Sequence, residues 1–498
     1  MPWVFARLQS MRKHVLLVVA IHCVVSAAAP QTHASTNQIE QLARKKEAKP
    51  QISQKEAEEL FRHLDEVLNF VSDDTKLAIQ HPVKKKLASR DQVEKNLTDR
   101  LSKDEDMKRL ERSELVLKKF GFIPRDFALR DYVIGLMREQ VAGFYNTDDQ
   151  TVYMMDWVPE EEQMPVMAHE LTHALQDQNF GLSKWLKGDP EAAKKQKDDP
   201  SKESDADNDL EVTQDEEQTA RQAVAEGQGM VVMIDYELKD SGQTAMTAPD
   251  IVEAMKAGMH VSSQFPMYHN APLYLQESLS FPYEYGLDFV REMLYKRGKA
   301  LAYAGILKDP PVNTREVLEP KTYLADEQLP PMHLPAMKPL LGKNYERYDV
   351  GSVGEFDVKV LLEQFAGEKV SEKLYPQWRG GAYYAARIKG DDPEPTDETK
   401  QDTKSIALLY LSRWSSPQAA ERFRQEYAKA LLKRYLYAQS TPPKDANAPV
   451  THWMTNEGPV LVEAQGNSVL ALEGFDPETL EQLRAQVFAT EATPAQVH

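Results

Sequence analysis

Apolar residues recur at helical spacing early in the chain. Leu60, Leu64, Val67, Leu68 and Val71 follow Ser53 and Glu56, whose separation suits a capping box. Charged helices are expected to continue to about Gln140, broken at "GFIPRD", so that residues 36–130, opening with a polar leader to about Gln51, form an N-terminal helical region. The texture then switches to β-branched and aromatic residues. "VAGFYN" and "TVYMMD", separated by the polar "TDDQ", predict a β-hairpin over Val141–Asn146 and Thr151–Asp156. A helix from about Met164 to Gln178 follows. Residues 187–217 are strongly acidic, with almost no apolar positions, and predict an insertion that cannot bury itself.

Helical spacing resumes at Ala220, with Ala223, Val224, Gly227, Met230, Val231 and Ile234 on one stripe. Further helices are expected over "DIVEAMKAG" and "YEYGLDFVREMLYKRGKALAYAG", then an extended proline-rich crossing near residues 310–335. After Gly351 a helix ("VKVLLEQFAG"), two strands ("GGAYYAARIKG", "SIALLYLSRW"), a helix from Ser416 to about Tyr435, a hairpin turning at "GNS" and a last helix from Pro477 predict a small α+β domain over 350–498. The fold class expected for the whole chain is α+β, with a mostly helical central domain over 131–345.

Composition narrows the chemistry. A net charge of −18 argues against nucleic acid or an anionic membrane surface as the main partner. Residues 1–29 read as a signal peptide, with Arg7, Arg12 and Lys13 ahead of "HVLLVVAIHCVVSAAA". The expected location is secreted or periplasmic, with no membrane span after cleavage. The one cysteine, Cys23, lies inside that leader, so the mature chain would have neither a disulfide nor a thiolate ligand, and any metal must sit on His, Asp or Glu.

The chain has 12 histidines, and two of them stand in "VMAHELTHALQDQ". On a helix, His169 and His173 project from the same face about one turn apart, the spacing of two zinc ligands. Glu170 lies about 100° further round, where its carboxylate can flank a metal without binding it and take a proton from metal-bound water. Met164, Met167, Leu171, Ala174 and Leu175 gather on the opposite side, which predicts one packed and one ligand-presenting face. A third ligand is needed. Asn179 and Gln176 stand where metzincin-type sites place a histidine and a glycine, which excludes that class. Glu226 in "AVAEGQGMVV" is the best candidate, flanked by Gly227 and Gly229 that would let two helices approach closely. Taken alone, Glu226 reads equally well as a solvated glutamate near a helix start.

Together, "VAGFYNTDDQTVYMMD", the His169–His173 helix, "AVAEGQGMVVMIDY", "SLSFPYEYGLDFV" and "VNTREVLEPKTY" resemble the gluzincins, the thermolysin-like zinc metallopeptidases, and within them a group of secreted bacterial H-E-x-x-H proteins. The resemblance covers roughly Tyr132 to Tyr323. It implies a zincin-like catalytic domain, Zn2+ held by His169, His173 and Glu226, Glu170 as general base, and a peptide or protein substrate. It also implies that Thr151–Asp156 is a sheet edge along which an extended peptide pairs. Two positions depart from the pattern: Met230 and Gln228 stand where aspartates would orient the site. Asp177 is the expected substitute as partner of a histidine. Tyr236, Tyr283, Tyr285 and His269 are candidates to stabilise an oxyanion. The alternative function is a non-catalytic cell-envelope binding or assembly protein that retains the fold around a structural zinc; the presence of Glu170 favours the enzyme.

Overall fold

Four strands form a small sheet: β1 (Val15–Val19), β2 (Lys84–Ala88), β3 (Val141–Asn146) and β4 (Thr151–Met155), in the order β1-β3-β4-β2. The computed structural model describes residues 15–19, 54–89, 92, 104–158, 160–188, 208–261, 266–389, 402–441 and 450–491. The rest of the expected signal peptide, the polar leader, residues 189–207 of the acidic insertion and the second acidic stretch at 390–401 lie outside them. β3 and β4 form the expected antiparallel hairpin, with Gly143 opposite Met154 and Asn146 opposite Thr151.

One expectation for this sheet fails. The strand at Thr151 is not an edge, because β2 pairs with it in parallel, Lys84 opposite Thr151 and Ala88 opposite Met155. β1 runs antiparallel along the other side of β3, so neither hairpin strand has a free edge. The lysines of "KKKLA" are exposed on β2, and their polarity hides the strand from a reading of periodicity. The N-terminal region is therefore not only helical.

The longer helices ahead of the large sheet include α1 (Leu64–Thr75), α2 (Asp104–Phe120), α3 (Glu160–Phe180), α4 (Asn208–Leu238) and α5 (Leu273–Arg297). α3 carries the histidine motif and packs against α1, β3 and α4. It is buried on every side from Val166 to Gln176, rather than on one face alone. Helix α4 begins at Asn208, inside the stretch expected to stay solvated. Its first turns bury Asp215 and Glu216, because Glu216 accepts hydrogen bonds from the Thr314 N–H at 2.9 Å and the Thr314 hydroxyl at 2.8 Å.

Residues after Tyr345 build a seven-stranded antiparallel sheet from β5 (Tyr345–Ser352), β6 (Trp378–Ile388), β7 (Ile406–Trp414), β8 (Ala438–Thr441), β9 (Val450–Thr455), β10 (Gly458–Gln465) and β11 (Ser468–Glu473), ordered β5-β6-β7-β11-β10-β9-β8. Alternate residues of its strands face two cores. Tyr383, Leu408 and Tyr410 join the core that also holds α1, α3 and α4, whereas Tyr384, Leu409 and Leu411 pack with the C-terminal helix through Leu480 and Leu483. The first core thus continues from the small sheet into the large one. The architecture is α+β, and no helix among the described residues is long and apolar enough to cross a membrane.

Candidate metal centre

α3 and α4 are separated in sequence, yet α4 packs closely against both α3 and α5 because glycines remove the side chain at two close approaches. A Cβ on Gly227 would run into the backbone of Gly286 on α5, with the Gly286 Cα only 2.8 Å away. A Cβ on Gly229 would meet three atoms of the His169 ring at 2.7–2.8 Å. The imidazole therefore rests on the bare backbone of α4. The expectation that these two glycines permit close approach is met in two different directions, one toward α5 and one toward α3.

This packing brings His169, His173 and Glu226 together, although 57 residues separate the first from the last. His169 Nε2 is 3.1 Å from Glu226 Oε2, His173 Nε2 is 3.4 Å from the same oxygen, and the two Nε2 atoms are 2.9 Å apart. Donors placed tetrahedrally at zinc distances of 2.0–2.1 Å lie roughly 3.3 Å from one another. The triangle has that size and the donor set suits a divalent ion of intermediate softness. The three side chains and Glu170 are fully buried. Glu226 Oε1 is in no formed hydrogen bond and Glu170 meets a single backbone amide, that of Tyr145, an expensive state for buried carboxylates unless a cation or proton satisfies them.

Burial opposes charge throughout the group, but its members respond differently. At His173 burial works against the imidazolium, yet Glu226, Glu170 and Gln176 together outweigh it and raise the pKa. At His169 burial prevails and lowers it, helped by the charge on His173. Burial pushes Glu226 up, but the His173 charge and hydrogen bonds from both rings hold it below the usual carboxylate range. Glu170 is pushed up to about 8, mainly by burial and further by Glu226, with His173 and the Tyr145 backbone amide acting the other way. A divalent cation beside Glu170 would act in the same direction as His173 and favour its ionised form.

The other expected participants scatter. Asp177 does not serve a histidine Nδ1: its Oδ2 accepts from the Tyr145 hydroxyl at 3.0 Å and its Oδ1 from the Leu182 N–H at 2.9 Å, so it ties the end of α3 to β3. The Nδ1 of His173 faces Gln176 instead, and the His169 ring lies against the backbone of Gly229. Of the four oxyanion candidates, Tyr283 on α5 lies beside the site, its ring centre 6.5 Å from that of His169. Tyr236 packs on Phe70 and Lys239, Tyr285 on Phe281 and Lys359, and His269 is exposed. Gln176 and Gln228 were legible only as departures from a pattern. The signal that could have found the first is its spacing, three residues after His173 and so on the same helical face.

Residues 343–484 match the family described as Domain of unknown function (DUF8575). No curated protein and no solved structure matches the chain.

Proposed function

We propose that the chain is a secreted zinc metallopeptidase of the gluzincin type. The observation that carries the reading is the three-donor triangle with a fully buried carboxylate, Glu170, one residue along the helix from His169. His169, His173 and Glu226 would hold the ion. Bound zinc supplies Lewis acidity, lowering the pKa of water and polarising a peptide carbonyl. Glu170 takes the proton of the attacking water at its carboxylate and delivers it to the departing amine. Tyr283 is the hydroxyl-bearing side chain beside His169 that would donate to the carbonyl oxygen as it gains charge.

One observation favours a second reading. Structural zinc sites are closed, catalytic ones keep a position open, and all four residues here are fully buried. A non-catalytic envelope protein with a structural zinc accounts for that closure. It does not account for Glu170, a fully buried carboxylate beside the three donors whose burial costs stability. Under the enzymatic reading, the elements over the site move to admit substrate.

Elemental analysis and casein cleavage separate the readings. The first expects one zinc per chain, with cleavage abolished in Glu170→Gln while zinc is retained. Stoichiometric zinc with no turnover on any peptide library would favour the second, and zinc-free wild-type protein would remove both.

A further inference from the structure

Two glutamines join the candidate metal centre to a distorted turn on a neighbouring segment. His173 Nδ1 lies 2.8 Å from Gln176 Oε1. Gln176 Nε2 donates to Gln228 Oε1 at 2.9 Å and to the Ala225 carbonyl at 3.1 Å. Gln228 Nε2 donates in turn to the carbonyls of Ala302 and Tyr303 at 2.8 and 3.1 Å. Both glutamines are fully buried. The two carbonyls belong to a π-helical turn, Leu301–Gly305, a geometry found mostly as short interruptions near functional sites.

The direction of every bond in this chain follows from its far end. Backbone carbonyls only accept, so Gln228 must turn its NH2 toward Ala302 and Tyr303. Its oxygen then faces Gln176. Gln176 must answer with its own NH2, which the Ala225 carbonyl also requires. That leaves the Gln176 oxygen facing His173, so the His173 Nδ1 must carry a proton. With Nδ1–H fixed, the lone pair of the neutral ring is confined to Nε2, the atom that faces His169 and Glu226. Flipping either amide would set oxygen against oxygen at two contacts in a buried site.

We propose that Gln176 and Gln228 are positioning residues that set the tautomer and orientation of His173 as a metal ligand, with the Ala302–Tyr303 turn as the fixed reference. The inference rests on the metal-binding reading of His169, His173 and Glu226. It assigns to two neutral amides the task for which carboxylates were expected. Metal-binding histidines generally donate their second N–H to an outer partner, and removing that partner costs about 10- to 100-fold in metal affinity.

The test uses the full chain, with zinc affinity measured by competition with a chromophoric chelator and the His173 ring followed by NMR on protein labelled with 15N at histidine. Gln176→Leu removes the acceptor while keeping an apolar body of similar length; zinc affinity is expected to fall about 10- to 100-fold. Gln228→Met leaves Gln176 held only by the Ala225 carbonyl, and a smaller loss is expected. In wild-type zinc-loaded protein the His173 Nδ1–H signal should be sharp and slow to exchange with solvent. It should shift and broaden in both variants, while circular dichroism stays unchanged. A purely structural role would lower the melting temperature without moving that signal. Wild-type protein that binds no zinc would overturn the metal reading itself. Wild-type protein that binds zinc, with both variants matching its affinity and its His173 signal, would overturn this inference alone. Should Gln176→Leu fail to fold, Gln228→Met decides by the same two measurements.

Discussion

Gly229→Ala is expected to strengthen the fold locally and yet damage the candidate metal centre. Alanine is favoured over glycine in a helix interior by about 1 kcal/mol, so α4 itself gains. The new methyl would meet Cε1, Nδ1 and Nε2 of His169 at 2.7–2.8 Å, whereas ordinary contact is 3.4–4 Å. The ring must therefore retreat by about 0.6–0.7 Å, since 3.4 less 2.7–2.8 leaves that difference. Ligand distances in metal sites hold to within about 0.2 Å, so His169 would leave bonding range unless the helices part. An affinity loss of about 100-fold, roughly 2.7 kcal/mol, is expected from competition with a chelator, with urea unfolding of the zinc-free protein unchanged or slightly improved. Gly227→Ala is the control. Its methyl faces the backbone of Gly286 rather than a ring that can swing, so α4 and α5 must separate and the zinc-free protein should lose stability as well. Wild-type zinc affinity in Gly229→Ala, or equal urea midpoints for the two variants, would refute the assignment of these glycines.

Three further outcomes are expected. Tyr283→Phe should keep zinc and lower kcat by about 100- to 1,000-fold with KM little changed, read from steady-state peptide hydrolysis; unchanged kcat would remove Tyr283 from the mechanism. Arg434 and Glu473 are fully buried and joined at 2.9 and 3.0 Å, and Glu473 also accepts from Tyr427 and Tyr435. Arg434→Met would strand that carboxylate and should cost about 3–5 kcal/mol in urea unfolding, whereas a loss below about 1 kcal/mol would show that the network relaxes. Glu216 is pushed up to about 7, first by burial and then by the charge of Asp357. Its ordinary value is about 4.3, so between those pH values the folded chain binds the extra proton and stability falls as pH rises. The urea midpoint should fall less in Glu216→Gln than in wild type between pH 5 and 8; parallel curves would show that Glu216 is already ionised.

Local pattern carried the centre of the molecule well, and long-range pairing did not announce itself. The β3–β4 hairpin and α3 were legible because alternation and helical spacing both persist over many residues there. Glu226 was legible because two glycines mark where another element must come close. β2 was not, since three consecutive lysines resemble a solvated run until a partner strand supplies the hydrogen bonds. Glu216 was hidden for a similar reason: its acidic surroundings suggest solvent, and its hydrogen bonds come from Thr314, 98 residues away. The amide chain from Gln176 to Tyr303 joins three segments, and no local period reports such a path.

α4 also has a mechanical consequence. Its early turns press Asp215 against Gly351 and Glu216 against Gly354 in the matched C-terminal region, so close that no side chain larger than hydrogen fits at either glycine. Ten residues further along, about 15 Å at the rise of an α-helix, the same rod carries Glu226. One end of the rod is clamped in one region and its middle delivers the Glu226 carboxylate to the candidate metal centre in another. Deleting the chain from Tyr345 onward would release the clamp and leave the histidines without a fixed counterpart. The C-terminal sheet is in this sense the mount on which the candidate third ligand is aligned.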